Sequence, residues 1–164
     1  MAAERNVLKE GIIAGAIGAT AVAVWFFVVD LVAGTPLHTP QLLGNAFFSL
    51  FGPTAGESAM LHVVGYTIFH YAAFAGVGLL ASVLATVSEK VPGAIAGLLI
   101  LFVAFEVGFY GVTSMLSYTQ LLGQMAWWSI GAANLIAAAL MGTYLYRRHP
   151  TLGTTLEYAL SGRE

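Results

Sequence analysis

Residues 61–87, LHVVGYTIFHYAAFAGVGLLASVLATV, limit the fold of this chain more than any other stretch, because they contain no Lys, Arg, Asp or Glu. A helix needs roughly 20 apolar residues, at about 1.5 Å rise each, to cross the ~30 Å hydrocarbon core of a bilayer. The stretch therefore predicts a transmembrane helix. It also carries two histidines, His62 and His70, which need a physical explanation in an apolar setting.

The composition of the whole chain agrees with a membrane protein. The chain has 164 residues, of which 59% are hydrophobic and 9% charged, whereas soluble domains are about 25% charged. This length favours one domain, residues 1–164. The net charge of -2 does not favour binding to nucleic acid. The absence of cysteine excludes disulfides, thiolate catalysis and zinc–thiolate sites.

Four apolar segments predict four spans, at about 12–34, 61–87, 93–117 and 124–146. The first lacks a short core followed by a cleavage site, so we expect a retained helix rather than a signal peptide. With four spans, every basic residue falls on one side of the membrane. These residues are Arg5, Lys9, Lys90, Arg147, Arg148 and Arg163. The positive-inside rule then predicts cytoplasmic termini and a cytoplasmic tail at 147–164, in what we expect to be a bacterial cytoplasmic membrane.

The connection after the first span is too short and too polar to cross the membrane, but it is rich in Leu and Phe. Thr39 and Pro40 are typical of a helix start, and apolar residues follow at helical spacing. We expect a short extracytoplasmic helix at about 40–51, lying at the membrane interface or over the bundle mouth. Thr54 and Glu57 match a capping box that would start the second span. The predicted fold is an antiparallel bundle of four transmembrane helices with this additional helix between spans 1 and 2.

Small residues recur at every fourth position on the first span and at helical spacing on the fourth. Such residues let neighbouring helices approach closely in lipid. The predicted packing positions are Gly11, Gly15, Ala19, Gly131, Ala138 and Gly142.

Polar residues on different spans fall at similar predicted depths. His70, Glu106 and Asn134 each lie ~14–16 Å below the outer end of their span, at about 1.5 Å rise per residue. A polar seam inside the bundle is the resulting prediction, with a His70–Glu106 pair at its floor. Its members are His70, Glu106, Asn134, Tyr66, Tyr110 and Thr20. The seam is either a buried hydrogen-bond network that fixes helix register or a path for protons or ions.

A cofactor site is a further hypothesis. A neutral imidazole of His70, or of the more exposed His62, is a suitable ligand for haem iron or for the magnesium of a chlorin. The other three spans contain no histidine, so a second axial ligand would have to come from another subunit. His38 and His149 fall in polar connections and are interpreted as surface residues. No metal site and no cofactor is otherwise expected.

Motifs that would indicate an enzyme are absent: the sequence has no H-E-x-x-H, G-x-S-x-G, P-loop or dinucleotide fingerprint. The leading hypothesis is a non-catalytic accessory subunit, self-associating or bound to a larger membrane assembly such as a respiratory or photosynthetic complex. The alternatives are a small proton-coupled or ion-conducting protein that uses His70 and Glu106, and a haem- or chlorin-binding subunit. The expected partners are the bilayer and other membrane chains.

Overall fold

The computed structural model describes residues 6–54, 56, 58–115, 127–154 and 157. For residues 112–115 it describes the backbone only. The described residues form helices and turns without strands. The α-helices are α1 (Val7–Val32), α2 (His38–Ser49), α3 (Ala59–Ser88), α4 (Ala96–Met115) and α5 (Trp127–Arg148), and a 3-10 turn at Pro92–Ile95 leads into α4.

Four helical segments, α1, α3, α4 with its preceding turn, and α5, are long and apolar enough to cross a membrane. The predicted all-helical architecture with four such helices is thereby confirmed. Helix α1 begins earlier than predicted because the side chain of Asn6 caps it, with Oδ1 accepting the Lys9 N–H at 3.0 Å. The predicted span 93–117 and the start of the span 124–146 extend into residues outside the described ranges.

The backbones of α1 and α3 approach each other closely because glycines lie at the contact between the two helices. A Cβ added to Gly11 would lie 2.5 Å from the Cα of Leu79, and one added to Gly78 would overlap the Gly11 carbonyl. Gly15 lies equally close to the backbone of Phe74. This contact is the small-residue packing by which helices associate in lipid.

Helix α5 packs on another side of α1, which therefore lies between α3 and α5. The contact is built from buried Ala133, Ala137 and Met141, and the Trp25 indole N–H donates to Ser129 Oγ at 2.9 Å. Gly131 and Gly142, predicted at helix contacts, do not take part, because a Cβ at either would meet no atom within 4 Å.

Helix α2 is fastened to α1 by a buried carboxylate. Asp30 accepts the backbone N–H of Thr39 at 2.8 Å and its hydroxyl at 2.7 Å. The predicted start at Thr39–Pro40 is two residues late: the helix begins at His38, and the N-cap is Leu37 in the left-handed conformation, with φ 65°. Because Leu37 offers no capping side chain, Asp30 satisfies the free N–H group of Thr39.

The rest of α2 rests on α3. The Phe47 and Phe69 rings stack with centroids 4.5 Å apart, and Gly44 approaches the backbone of His62. The predicted capping box includes Glu57, which lies outside the described residues. Helix α3 begins after that box, with Ser58 as its N-cap, and Thr54 donates to Asn45 Oδ1 at 2.5 Å.

Helix α4 is the loosely attached member of the bundle. No residue in its described side-chain range, 96–111, is buried, whereas α1, α3 and α5 each bury about a third of their apolar window. It contacts α3 and α5 lightly, on the far side of the bundle from α1. Cavities therefore separate α4 from the other helices.

Candidate functional site

His70 is buried in the middle of α3, and its ring is fixed by a bond to α1. Its Nε2 lies 3.0 Å from the backbone oxygen of Ala19. A carbonyl only accepts, so Nε2 carries the proton and, in the neutral ring, Nδ1 carries the lone pair. The ring also stacks on Tyr66, with centroids 5.7 Å apart, and contacts Phe74.

The predicted His70–Glu106 pair is not formed. His70 turns to Ala19 on α1, while the Glu106 Oε1 is buried with no hydrogen-bond partner within the described structure. The physical reason is the position of α4, which packs only lightly on α3. Tyr110, on the next turn, donates to the backbone oxygen of Trp127 at 2.9 Å and joins α4 to α5.

Asn134 is the seam residue that lines a cavity together with His70. Both line a cavity of about 370 Å³ between α1, α3, α4 and α5, and Tyr66 lines it too. Asn134 is only 8% exposed. No hydrogen bond from the described residues reaches its amide.

Thr20 lies away from this cavity. Its hydroxyl shares a hydrogen bond of 2.9 Å with the Tyr71 hydroxyl, on the exposed side of the α1–α3 contact. The structure thus brings His70 and Tyr66 together with Asn134 in this cavity and with Thr20 in a separate cavity of about 320 Å³. Glu106 and Tyr110 line neither cavity.

The two proposed cofactor ligands differ in what surrounds them. In His70 the Nε2 atom is already bonded, so only Nδ1 is open to a metal or a ligand. His62 is buried rather than exposed and packs against the Phe48 ring, with centroids 5.6 Å apart. It lines a polar pocket of about 300 Å³ with His38, Gln41 and Asn45. Within the described residues, no group of three or more His, Cys, Asp or Glu side chains is placed to hold a metal ion.

A second polar cluster, which we call the helix-end triad, consists of Glu10, His149 and Glu89. His149 is fully buried, with Nε2 3.1 Å from Glu10 Oε2 and Nδ1 2.9 Å from Glu89 Oε1. Each ring nitrogen thus lies within hydrogen-bond distance of a carboxyl oxygen from a different helix. The triad joins the first turn of α1, the C-cap of α3 and the end of α5.

The interpretation of His149 as a surface residue is therefore wrong. Polar residues next to helix ends are usually solvated, and the three partners are far apart in sequence. The sequence does contain one indication of this cluster. The distribution of basic residues predicts that the start of span 1, the end of span 2 and the end of span 4 lie at the same membrane face. A histidine and two glutamates at one predicted face are candidates for such a contact.

Comparison with known proteins assigns no relative: no protein-family model matches the chain, and neither a curated protein nor a solved structure is significantly similar to it.

Proposed function

We propose that this protein is a non-catalytic subunit of a membrane assembly and that it joins another membrane chain through α4. The observation that carries the proposal is the lack of any buried residue in the described side-chain range of α4, in a helix long enough to span the membrane. Helices associate in lipid through close van der Waals packing. A helix that packs so little on its own bundle obtains little stabilisation from it, and a partner helix would supply the missing contact.

The outward side of α4 offers a continuous apolar surface for such a partner. We call this surface the α4 face, and define it as Leu99, Ile100, Val103 and Val107, which are between 49% and 67% exposed. Their spacing places them along one side of the helix. A partner helix lying along this side would contact all four.

The contacts made by polar side chains within the described structure support a structural role for this protein. The main polar contacts connect one helix to another: Asp30 connects α1 to α2, Trp25 connects α1 to α5, and the helix-end triad connects α1, α3 and α5. These groups act on the packing of the protein itself. A respiratory or photosynthetic complex is the kind of assembly that we propose the chain joins.

Extraction from native membranes in a mild detergent, followed by native gel separation and mass spectrometry, tests the proposal. We expect the wild-type chain to migrate in an assembly larger than one chain, with the partner identified in the same band. Ile100→Trp should shift the chain to a smaller species, because the larger side chain holds a partner away from α4.

Ile68→Trp on α3 is the matched control, since Ile68 and Ile100 are the same residue type and are 67% and 66% exposed. It should leave the assembly intact. Migration of the wild-type chain as a single copy, or equal effects of the two substitutions, contradicts the proposal.

A further inference from the structure

The cavity that contains His70 and Asn134 has the properties of a binding site. Its volume of about 370 Å³ falls in the range of small-molecule sites, roughly 300–1,000 Å³. Five phenylalanines form much of its wall, and they are contributed by α1, α3 and α4. These are Phe26, Phe69, Phe74, Phe105 and Phe109. Aromatic walls favour a flat ring, which can stack or meet them edge to face.

Asn134 gives this apolar cavity a polar group in need of a partner. The residue is only 8% exposed, yet no hydrogen bond from the described residues reaches its amide, which faces the cavity. Burying an amide without a hydrogen bond is costly in an apolar medium. A ligand oxygen that accepts from the amide NH₂ group would remove that cost.

His70 supplies a complementary acceptor. Its Nε2–H is committed to the Ala19 carbonyl, so the neutral ring presents Nδ1 as an acceptor. A hydroxyl has both properties required here: its hydrogen donates to Nδ1 of His70, and its oxygen accepts from Asn134. A carbonyl oxygen satisfies Asn134 alone.

A second cavity continues from the first along α4. It has a volume of about 160 Å³, shares Phe74, Phe105 and Asn134 with the first, and is otherwise lined by apolar residues. The Phe74 and Phe105 rings meet edge to face between the two cavities, with centroids 5.5 Å apart. An alkyl substituent on a bound ring would suit the apolar lining of this second cavity.

We propose that the cavity between α4 and the other helices binds an aromatic or quinol-type ring that carries a hydroxyl group and an apolar substituent. Asn134 and His70 hold the hydroxyl, and the phenylalanines hold the ring. This site is independent of the α4 face, which lies on the outer side of the same helix.

The test is equilibrium binding of 1-naphthol to the full-length protein in nanodiscs, with empty nanodiscs as the partition control and naphthalene as the probe without a hydroxyl. We expect 1-naphthol to bind in excess over empty discs and more tightly than naphthalene. Asn134→Leu should weaken 1-naphthol binding about tenfold or more, the value of one lost hydrogen bond. Naphthalene binding should stay unchanged in that variant.

A pair of glycine substitutions tests the location without removing a polar group. Gly108 lines the cavity, whereas Gly131 does not, and a Cβ at either meets no atom within 4 Å. Gly108→Leu should abolish binding of both probes, and Gly131→Leu should leave both unchanged. Equal 1-naphthol binding by wild type, Asn134→Leu and Gly108→Leu overturns the proposal, as does wild-type binding no greater than partition into empty discs.

Discussion

His149 and Glu10 come from opposite ends of the chain, yet the imidazole Nε2 lies 3.1 Å from Oε2 of Glu10. Both groups are shielded from solvent, and Glu89 binds the other ring nitrogen at 2.9 Å. The Glu10 side chain is buried and that of Glu89 is 20% exposed, and two carboxylates brought close together are unfavourable without a partner between them. His149 therefore holds together three helix ends that would otherwise repel.

Removal of the His149 imidazole should destabilise the protein strongly. We expect His149→Ala to lower the free energy of unfolding by roughly 3 kcal/mol, because it leaves the buried Glu10 carboxylate without this partner. His38→Ala is the control, since His38 is exposed. Thermal unfolding in detergent measures both, and equal melting temperatures for the two variants would show that the triad contributes nothing to stability.

The Asp30–Thr39 contact should control the attachment of α2. Thr39→Val removes the hydroxyl bond to Asp30 and should speed amide hydrogen exchange in α2, with a loss of about 1–3 kcal/mol for a bond to a charged group. Thr39→Ser keeps the hydroxyl and should behave like wild type. If exchange in α2 is the same in both variants, Asp30 does not hold this helix.

Close approach of α1 and α3 makes Gly15 intolerant of a side chain. Gly15→Ala places a Cβ against the backbone of Phe74 and should cost about 1–3 kcal/mol through overpacking. Gly131→Ala should instead stabilise by up to about 1 kcal/mol, because alanine is the better helix former and its Cβ meets open space. Opposite shifts in melting temperature are the expected result. A destabilised Gly131→Ala would mean that α5 has a closer neighbour than the structure shows.

Glu106 provides a test of the absent His70–Glu106 pair. Since Oε1 has no hydrogen-bond partner among the described residues, Glu106→Gln should not lower the melting temperature in detergent. A loss comparable to that of His149→Ala would require a strong partner for Glu106 and would restore the paired interpretation. Proton flux in reconstituted vesicles, compared between wild type and Glu106→Gln, tests the transport hypothesis directly.

The four spans can be predicted from the sequence because each is one long apolar run. Such a run depends only on residues that are close together in the chain. The same holds for α2, whose observed start lies two residues before the predicted one. The depth estimate placed His70, Glu106 and Asn134 in one layer, but depth along a helix does not determine which neighbour the helix faces or how closely. His70 and Asn134 do line one cavity. Glu106 is separate because α4 is not drawn into the bundle.

The helix-end triad and the Asp30–Thr39 contact were missed for a related physical reason. Polar residues near helix ends have water as an inexpensive alternative partner, so their identity says little about whether they are buried. Packing of three helix ends around His149 excludes that water. Such packing depends on glycines elsewhere, including Gly11 and Gly15, which bring α1 and α3 close together.

Site-specific photo-crosslinking in native membranes tests the central claim, that α4 contacts another membrane chain, most directly. A photoreactive amino acid at Ile100 lies on the α4 face, and the same probe at Ile68 on α3 is equally exposed. We predict a protein crosslink from position 100, to a second copy or to another chain, and only lipid adducts from position 68. Lipid adducts alone from both positions would contradict the account.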